Sequence, residues 1–191
     1  MKWPAGGFLP RAARMIVAPT AEWKIIAQQK VRAVAMLTSY VMPLALIPAA
    51  GWSLGLAKFG VAGQAAVAAT ALVNGALLAF VGTLLWIGLS AASMALLANV
   101  FGAKRDWPQA LQVAAYSATP VMLTGCALVW PDLLSVLIIA FFHSLYLQYG
   151  GVRYVLNVKE SQAAEFVALS TVTLMVASTV LGAIATALGW I

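Results

Sequence analysis

Charged residues fall in a few short clusters along this chain, and the stretches between them are almost wholly apolar. The runs 33–57, 59–103, 107–131, 133–152 and 166–191 contain no Asp, Glu, Lys or Arg. About 20 apolar residues as a helix cross the hydrocarbon core of a bilayer. Four of these runs therefore predict one spanning helix each. The long run 59–103 opens on the Ala-rich, weakly apolar VAGQAAVAATA (61–71) and continues as the strongly apolar LVNGALLAFVGTLLWIGLSAASMALLANVF (72–101). It reads as one span with a lead-in, because no charged residue near Gly75 marks a hairpin that would make two. The pattern predicts an all-α, polytopic membrane protein. It has five transmembrane helices, at about 33–57, 73–101, 109–130, 133–151 and 166–190, and a separate N-terminal segment, 1–32. Residues 33–191 form one membrane domain.

That N-terminal segment has a different rhythm. In TAEWKIIAQQK (20–30), Thr20 is a candidate N-cap and Glu22 falls in the first turn, where a carboxylate suits the helix dipole. Trp23, Ile26 and Ala27 share one face, with Lys24 and Gln28 on another. A basic amphipathic helix carrying a tryptophan lies naturally at headgroup depth. Trp23 and Lys24 are thus candidates for contact with the membrane surface or with a partner. The first residues lack the short apolar run and small-residue site of a cleavable signal.

Proline and glycine punctuate the spans. Pro43 and Pro48 are expected to kink the first, which ends in GWSLG (51–55), a spacing that permits close helix approach. Gly82, Gly88, Ser90, Ala91, Ala92 and Ser93 give the second span a small-residue surface, for packing in the bundle or between protomers. Gly102 is expected to end that helix, and Asp106 with Pro108 to begin the third. Pro120 lies about three turns into the third span. It has no N–H for the Tyr116 carbonyl, and the Thr119 hydroxyl is placed to take that carbonyl instead.

Charge adds an orientation. Ten of the eleven Lys and Arg residues fall on one side of a five-span path: six before the first span, then Lys104, Arg105, Arg153 and Lys159. Lys58 alone falls on the other. Cationic loops stay in the cytoplasm. The N-terminus is therefore expected in the cytoplasm and the C-terminus in the periplasm of a bacterial inner membrane. Lys104 and Arg105 serve first as topology signals and second as a candidate partner or membrane-surface contact. The net charge of +6 is mostly this bias, and no basic aromatic surface on a soluble face suggests a nucleic acid.

Candidate chemistry is sparse. His143, the only histidine, lies in the fourth span, and no Asp or Glu lies within any span. An ionisable group inside a membrane is a functional candidate, and counting helix rise from the same side puts Tyr116 and His143 at similar depth. Tyr116, Thr119, Pro120, His143 and Tyr146 are the candidates for a structural joint or a small polar pocket, with Tyr116 and His143 expected within direct or water-bridged reach. No H-E-x-x-H, G-x-S-x-G, G-x-G-x-x-G or Walker pattern occurs, so catalytic, metal and cofactor residues are not predicted. The single Cys126 sits inside a span and supports no disulfide framework.

The stretch FGAKRDWPQALQVAAYSATPVMLTG (101–125) resembles the signature of bacterial members of the YIP family of membrane proteins, whose eukaryotic relatives were named for interaction with Ypt/Rab GTPases. Phe101, Gly102, Gln109, Ala110, Leu111, Ala115, Tyr116, Thr119 and Pro120 carry it. SLYLQYGGVRYVL (144–156) is similar to the family's exit from the fourth span, through Tyr146, Tyr149 and Gly150. APTAEWKIIAQQK (18–30) is similar to its N-terminal segment, through Pro19, Trp23 and Ile26. Val152–Arg153 departs from relatives that have a proline there. The resemblance implies a five-span bundle with a cytoplasmic N-terminus and no catalytic residues, and a GTPase partner is not carried over. The expected function is a non-enzymatic scaffold, adaptor or membrane organiser that binds membrane-protein partners or itself in the lipid bilayer. The alternative is a small transporter or channel subunit with a polar path near Tyr116 and His143.

Overall fold

The computed structural model describes residues 7–29, 32–60, 67–103, 106–130 and 133–187. Lys104 and Arg105 lie outside them, as do residues 61–66 of the Ala-rich lead-in. The described residues are helical, in the order α1 (Phe8–Val17), α2 (Pro19–Ala27), α3 (Ala33–Phe59), α4 (Ala69–Leu97), α5 (Trp107–Ser117), α6 (Thr119–Val129), α7 (Leu134–Tyr154) and α8 (Glu160–Ala187). Four of these, α3, α4, α7 and α8, are long and apolar enough to cross a membrane, and the bent pair α5–α6 brings the number to five when the two helices are taken together as one broken span.

The N-terminal segment departs from the single interfacial helix expected. It forms two short helices, broken at Ala18 (φ −138°, ψ 57°). The break is local chemistry: the ring of Pro19 drives the residue before it out of the α region, and Pro19 itself then serves as the first residue of α2. Thr20 is consequently inside the first turn, and Ala18 rather than Thr20 occupies the cap position. Both helices pack onto one end of the bundle, with Ala12, Met15, Trp23 and Ile26 all buried.

In α3 the turn Leu37–Val41 is a π-helix, which leads directly into Pro43. A widened turn there accommodates a residue that cannot donate to the ladder, and such turns redirect side chains; here Tyr40 and Val41 point inward and are fully buried. Farther along, the glycine spacing of the first span finds its partner inside the chain. A Cβ at Gly51 would collide with the Gly125 carbonyl oxygen, and one at Gly55 with the Leu128 carbonyl oxygen. In return, a Cβ at Gly125 would lie 2.6 Å from Pro48 Cα. Bare backbone thus meets bare backbone where α3 crosses the 3-10 segment Thr124–Val129 that ends α6.

The second span runs 69–97, about one turn earlier than the apolar pattern suggested. Gly102 (φ +62°) closes the turns that follow it, where the Ala103 amide donates to the Ala98 carbonyl at 2.8 Å. Ala91 and Ser93 of its small-residue surface are buried, whereas Gly82 and Gly88 have open space at the Cβ position. The fifth span begins at Glu160, inside the stretch read as a loop, because that carboxylate sits in the first turn and pairs with Arg153 at 2.6 Å. The outward faces of α4, α7 and α8 expose Leu77, Leu85, Ile139, Phe142, Val172 and Val176. Continuous apolar exposure on long helices is the surface a lipid environment requires.

Candidate functional site

The third span supplies the joint. α5 and α6 meet at Ala118 with a bend of 44°. Pro120 causes it by withholding an N–H and by crowding the preceding turn. The Thr119 hydroxyl donates to the abandoned Tyr116 carbonyl at 2.6 Å, as the sequence suggested. That hydroxyl is also 2.7 Å from the Tyr40 hydroxyl. Since the Thr119 proton is committed to Tyr116, Tyr40 is the donor and Thr119 the acceptor. A π-turn on the first span and a proline break on the third are thereby linked by one buried chain of hydrogen bonds.

Tyr116 carries this chain to the end of the bundle. Its ring stands edge-on to Tyr40 (centroids 4.7 Å apart) and to Trp23 (6.2 Å). Its hydroxyl accepts from Arg11 Nη1 at 2.9 Å. Arg11 is fully buried, and it also donates to the Gln29 side-chain carbonyl at 3.1 Å and lies 3.1 Å from Glu22 Oε1. Glu22, only 2% exposed, takes Arg14 Nε on its other oxygen at 2.8 Å. One carboxylate is therefore clamped by two guanidinium groups, and one of these, Arg11, also reaches the membrane-span Tyr116. A buried charge survives only when paired and hydrogen-bonded, and Arg11 and Glu22 meet that condition only because α1 and α2 fold back on each other.

Trp23 is corrected by this arrangement. It is 1% exposed and packed against protein, not laid on an open membrane surface as expected. Its indole lies across Gly150 and Gly151, where an added Cβ would come within 2.9 Å of the ring. Two adjacent glycines in α7 make the seat, and the amphipathic face of α2 turns toward protein instead of headgroups. Lys24, on the opposite face, stays exposed, with its ammonium 6.0 Å from the Tyr154 ring.

The remaining candidates separate from this cluster. His143 is half-buried, its ring 5.9 Å from Tyr146, and its Nε2 is buried with no hydrogen-bond partner. Tyr146 is exposed. Among the described residues no hydrogen bond joins Tyr116 to His143; Tyr116 is committed to Arg11. The bend does create a cavity of about 310 Å³, on the side of the joint facing α4, α7 and α8. Ser117, Ala118, Trp86, Ser144 and Gln148 stand in its walls, and Tyr116 and His143 do not. Ser117 Oγ and Ser144 Oγ are buried without partners, while Gln148 donates to Ser170 Oγ at 3.1 Å. Cys126 is exposed, its thiol directed at the Leu123 carbonyl, and among the described residues no three His, Cys, Asp or Glu gather as a metal site would require.

Arg11 and Glu22 are what the sequence reading missed. A signal existed: Glu22 is the only acid before Asp106, isolated among six cations. An isolated carboxylate in an apolar, basic segment is a candidate for a buried pair.

The helices, their lipid-facing apolar surfaces and the buried joint define a polytopic α-helical membrane protein. A family model for the Yip1 domain matches residues 13–182. The chain belongs to that family of non-catalytic, multi-pass membrane proteins. Comparison with curated protein sequences and with solved structures gives no significant match.

Proposed function

We propose that this protein is a non-enzymatic scaffold or adaptor of a bacterial cytoplasmic membrane, with its N-terminus in the cytoplasm and its C-terminus in the periplasm. Its docking face is the outer surface of the α1–α2 cap. One observation carries this reading. The cap is fixed to the bundle by the buried Arg11–Glu22–Arg14 cluster and by Trp23, yet its outward side presents Leu9, Val17 and Ile25 at 57, 83 and 49% exposure. Apolar residues held rigidly in the open, beside the cations Arg14 and Lys24, fit a protein partner or a second copy of the chain. The Lys and Arg placement supports the orientation.

The test is purification of the whole protein in mild detergent after cross-linking in the membrane. A defined partner or homo-oligomer is expected, and Val17→Glu with Leu9→Glu should release it while leaving thermal stability in place. Recovery of the native protein as an isolated monomer without partners would overturn the reading.

The cavity at the joint favours a second reading, a small transporter or channel subunit. It predicts solute flux in proteoliposomes that is lost when Ser144→Leu fills the cavity. Flux unchanged by that substitution would remove it.

A further inference from the structure

A second, smaller cavity of about 70 Å³ lies where α2 meets the last turns of α7. Pro19 and Thr20, at the N-terminal end of α2, form one wall; Trp23, Tyr149, Arg153 and Tyr154 form the others. Helix N-termini carry partial positive charge and free amide donors. The Arg153 guanidinium lies 5.3 Å from the Tyr149 ring and 5.7 Å from the Tyr154 ring, and the Lys24 ammonium lies 6.0 Å from the Tyr154 ring. Glu160, itself 71% exposed, engages Arg153 through Nη2. A guanidinium has five N–H donors in a planar fork, so that one pair leaves it able to bind a second anion. In the same wall, Trp23 Nε1 is buried without an acceptor beside Gly150. Arg153, a helix N-terminus and an orphaned indole N–H border a space of the size of one small anionic group.

Depth and the surface below it say what that group belongs to. α7 has 21 residues, which at the helical rise is about 31 Å, enough to cross the hydrocarbon core. Its last turn therefore stands at the headgroup layer. Below it, Ile139, Phe142 and Tyr146 continue on the face that ends at Tyr149 and Arg153, spaced at three and four residues. They are exposed by 70, 64 and 54%. An apolar lane descends from a cationic socket.

We propose that this socket binds the phosphate of an anionic phospholipid, with an acyl chain lying along Ile139, Phe142 and Tyr146. A zwitterionic choline headgroup is disfavoured. Its own cation would meet Arg153 and Lys24, which already occupy the tyrosine faces that would otherwise attract it. The site is independent of the scaffold reading.

The experiment is native mass spectrometry of the full chain in neutral detergent, titrated with phosphatidylglycerol, phosphatidylcholine or inorganic phosphate. Phosphatidylglycerol should be retained several-fold over phosphatidylcholine, and inorganic phosphate should not displace it. Arg153→Gln should weaken retention about tenfold or more, as expected for loss of a charged hydrogen bond. Glu160→Gln, which frees the guanidinium, should strengthen it, an opposite sign that general misfolding would not give. Lys58→Gln, at the other end of the bundle, should change nothing. Equal retention of the two lipids, or equal losses from Lys58→Gln and Arg153→Gln, would overturn the proposal. Displacement by inorganic phosphate would overturn the lipid assignment in favour of free phosphate.

Discussion

Glu22 is the residue on which the N-terminal segment depends most. Its two oxygens hold Arg11 and Arg14 at 3.1 and 2.8 Å, and it is 2% exposed. Removing one partner of a buried pair leaves the other charge uncompensated and costs about 3–5 kcal/mol. Glu22→Gln is therefore expected to lower thermal stability in detergent strongly. The double change Arg11→Met with Glu22→Leu, which removes both charges, should recover much of the loss. A single substitution as stable as the native protein would show that the pair does not hold the cap. Tyr40→Phe is a milder case. It deletes the proton given to Thr119 but leaves Thr119 on the Tyr116 carbonyl. The expected cost is about 0.5–1.5 kcal/mol, read as a small drop in melting temperature.

The elements show how breaks in regularity serve packing. The π-turn before Pro43 and the bend at Ala118 are joined through Tyr40 and Thr119, and the 3-10 end of α6 meets α3 farther along, where Gly125 lies against Pro48 and Gly51. Gly51 and Gly55 let α3 approach carbonyl oxygens of α6, and backbone cannot move aside as a flexible side chain can. Gly51→Val should destabilise the bundle far more than Gly82→Ala, since Gly82 has nothing within 4 Å of the Cβ position. Thermal unfolding of the two variants measures the difference, and equal melting temperatures would contradict the close crossing. The third span was legible as a joint because proline chemistry is local. Pro120, Thr119 and the Tyr116 carbonyl lie within one turn, so their relation follows from spacing alone. The GWSLG spacing was legible as a close approach, but its partner was not, because Gly125 is distant in sequence and the crossing is a tertiary event.

The whole molecule is a bundle with a lid at one end. Gln28 follows α2 and Asn157 follows α7 at the capped end, both exposed, and Phe59, also exposed, ends α3 at the other end. With Cys126 replaced by alanine, Gln28→Cys and Asn157→Cys should react with a membrane-impermeant maleimide from one side only, and Phe59→Cys from the other. Labelling of all three from one side would contradict the five-span path.

By itself the sequence determined the class, the helical polytopic bundle and the family resemblance. These follow from the spacing of charges, the length of apolar runs and a motif within 101–125, all of which are local along the chain. It also determined the proline joint at Thr119–Pro120, where steric restriction acts between neighbours, whereas the break before Pro19 was not read although its cause is equally local. Only the tertiary structure decided that Trp23 is core, that Arg11 and Glu22 form a buried pair, and that Tyr116 faces Arg11 while His143 stands apart with Tyr146. An amphipathic helix has a face to bury, and its periodicity does not distinguish headgroups from a protein groove. That choice rested on the two glycines at 150 and 151, more than a hundred residues from the tryptophan they seat.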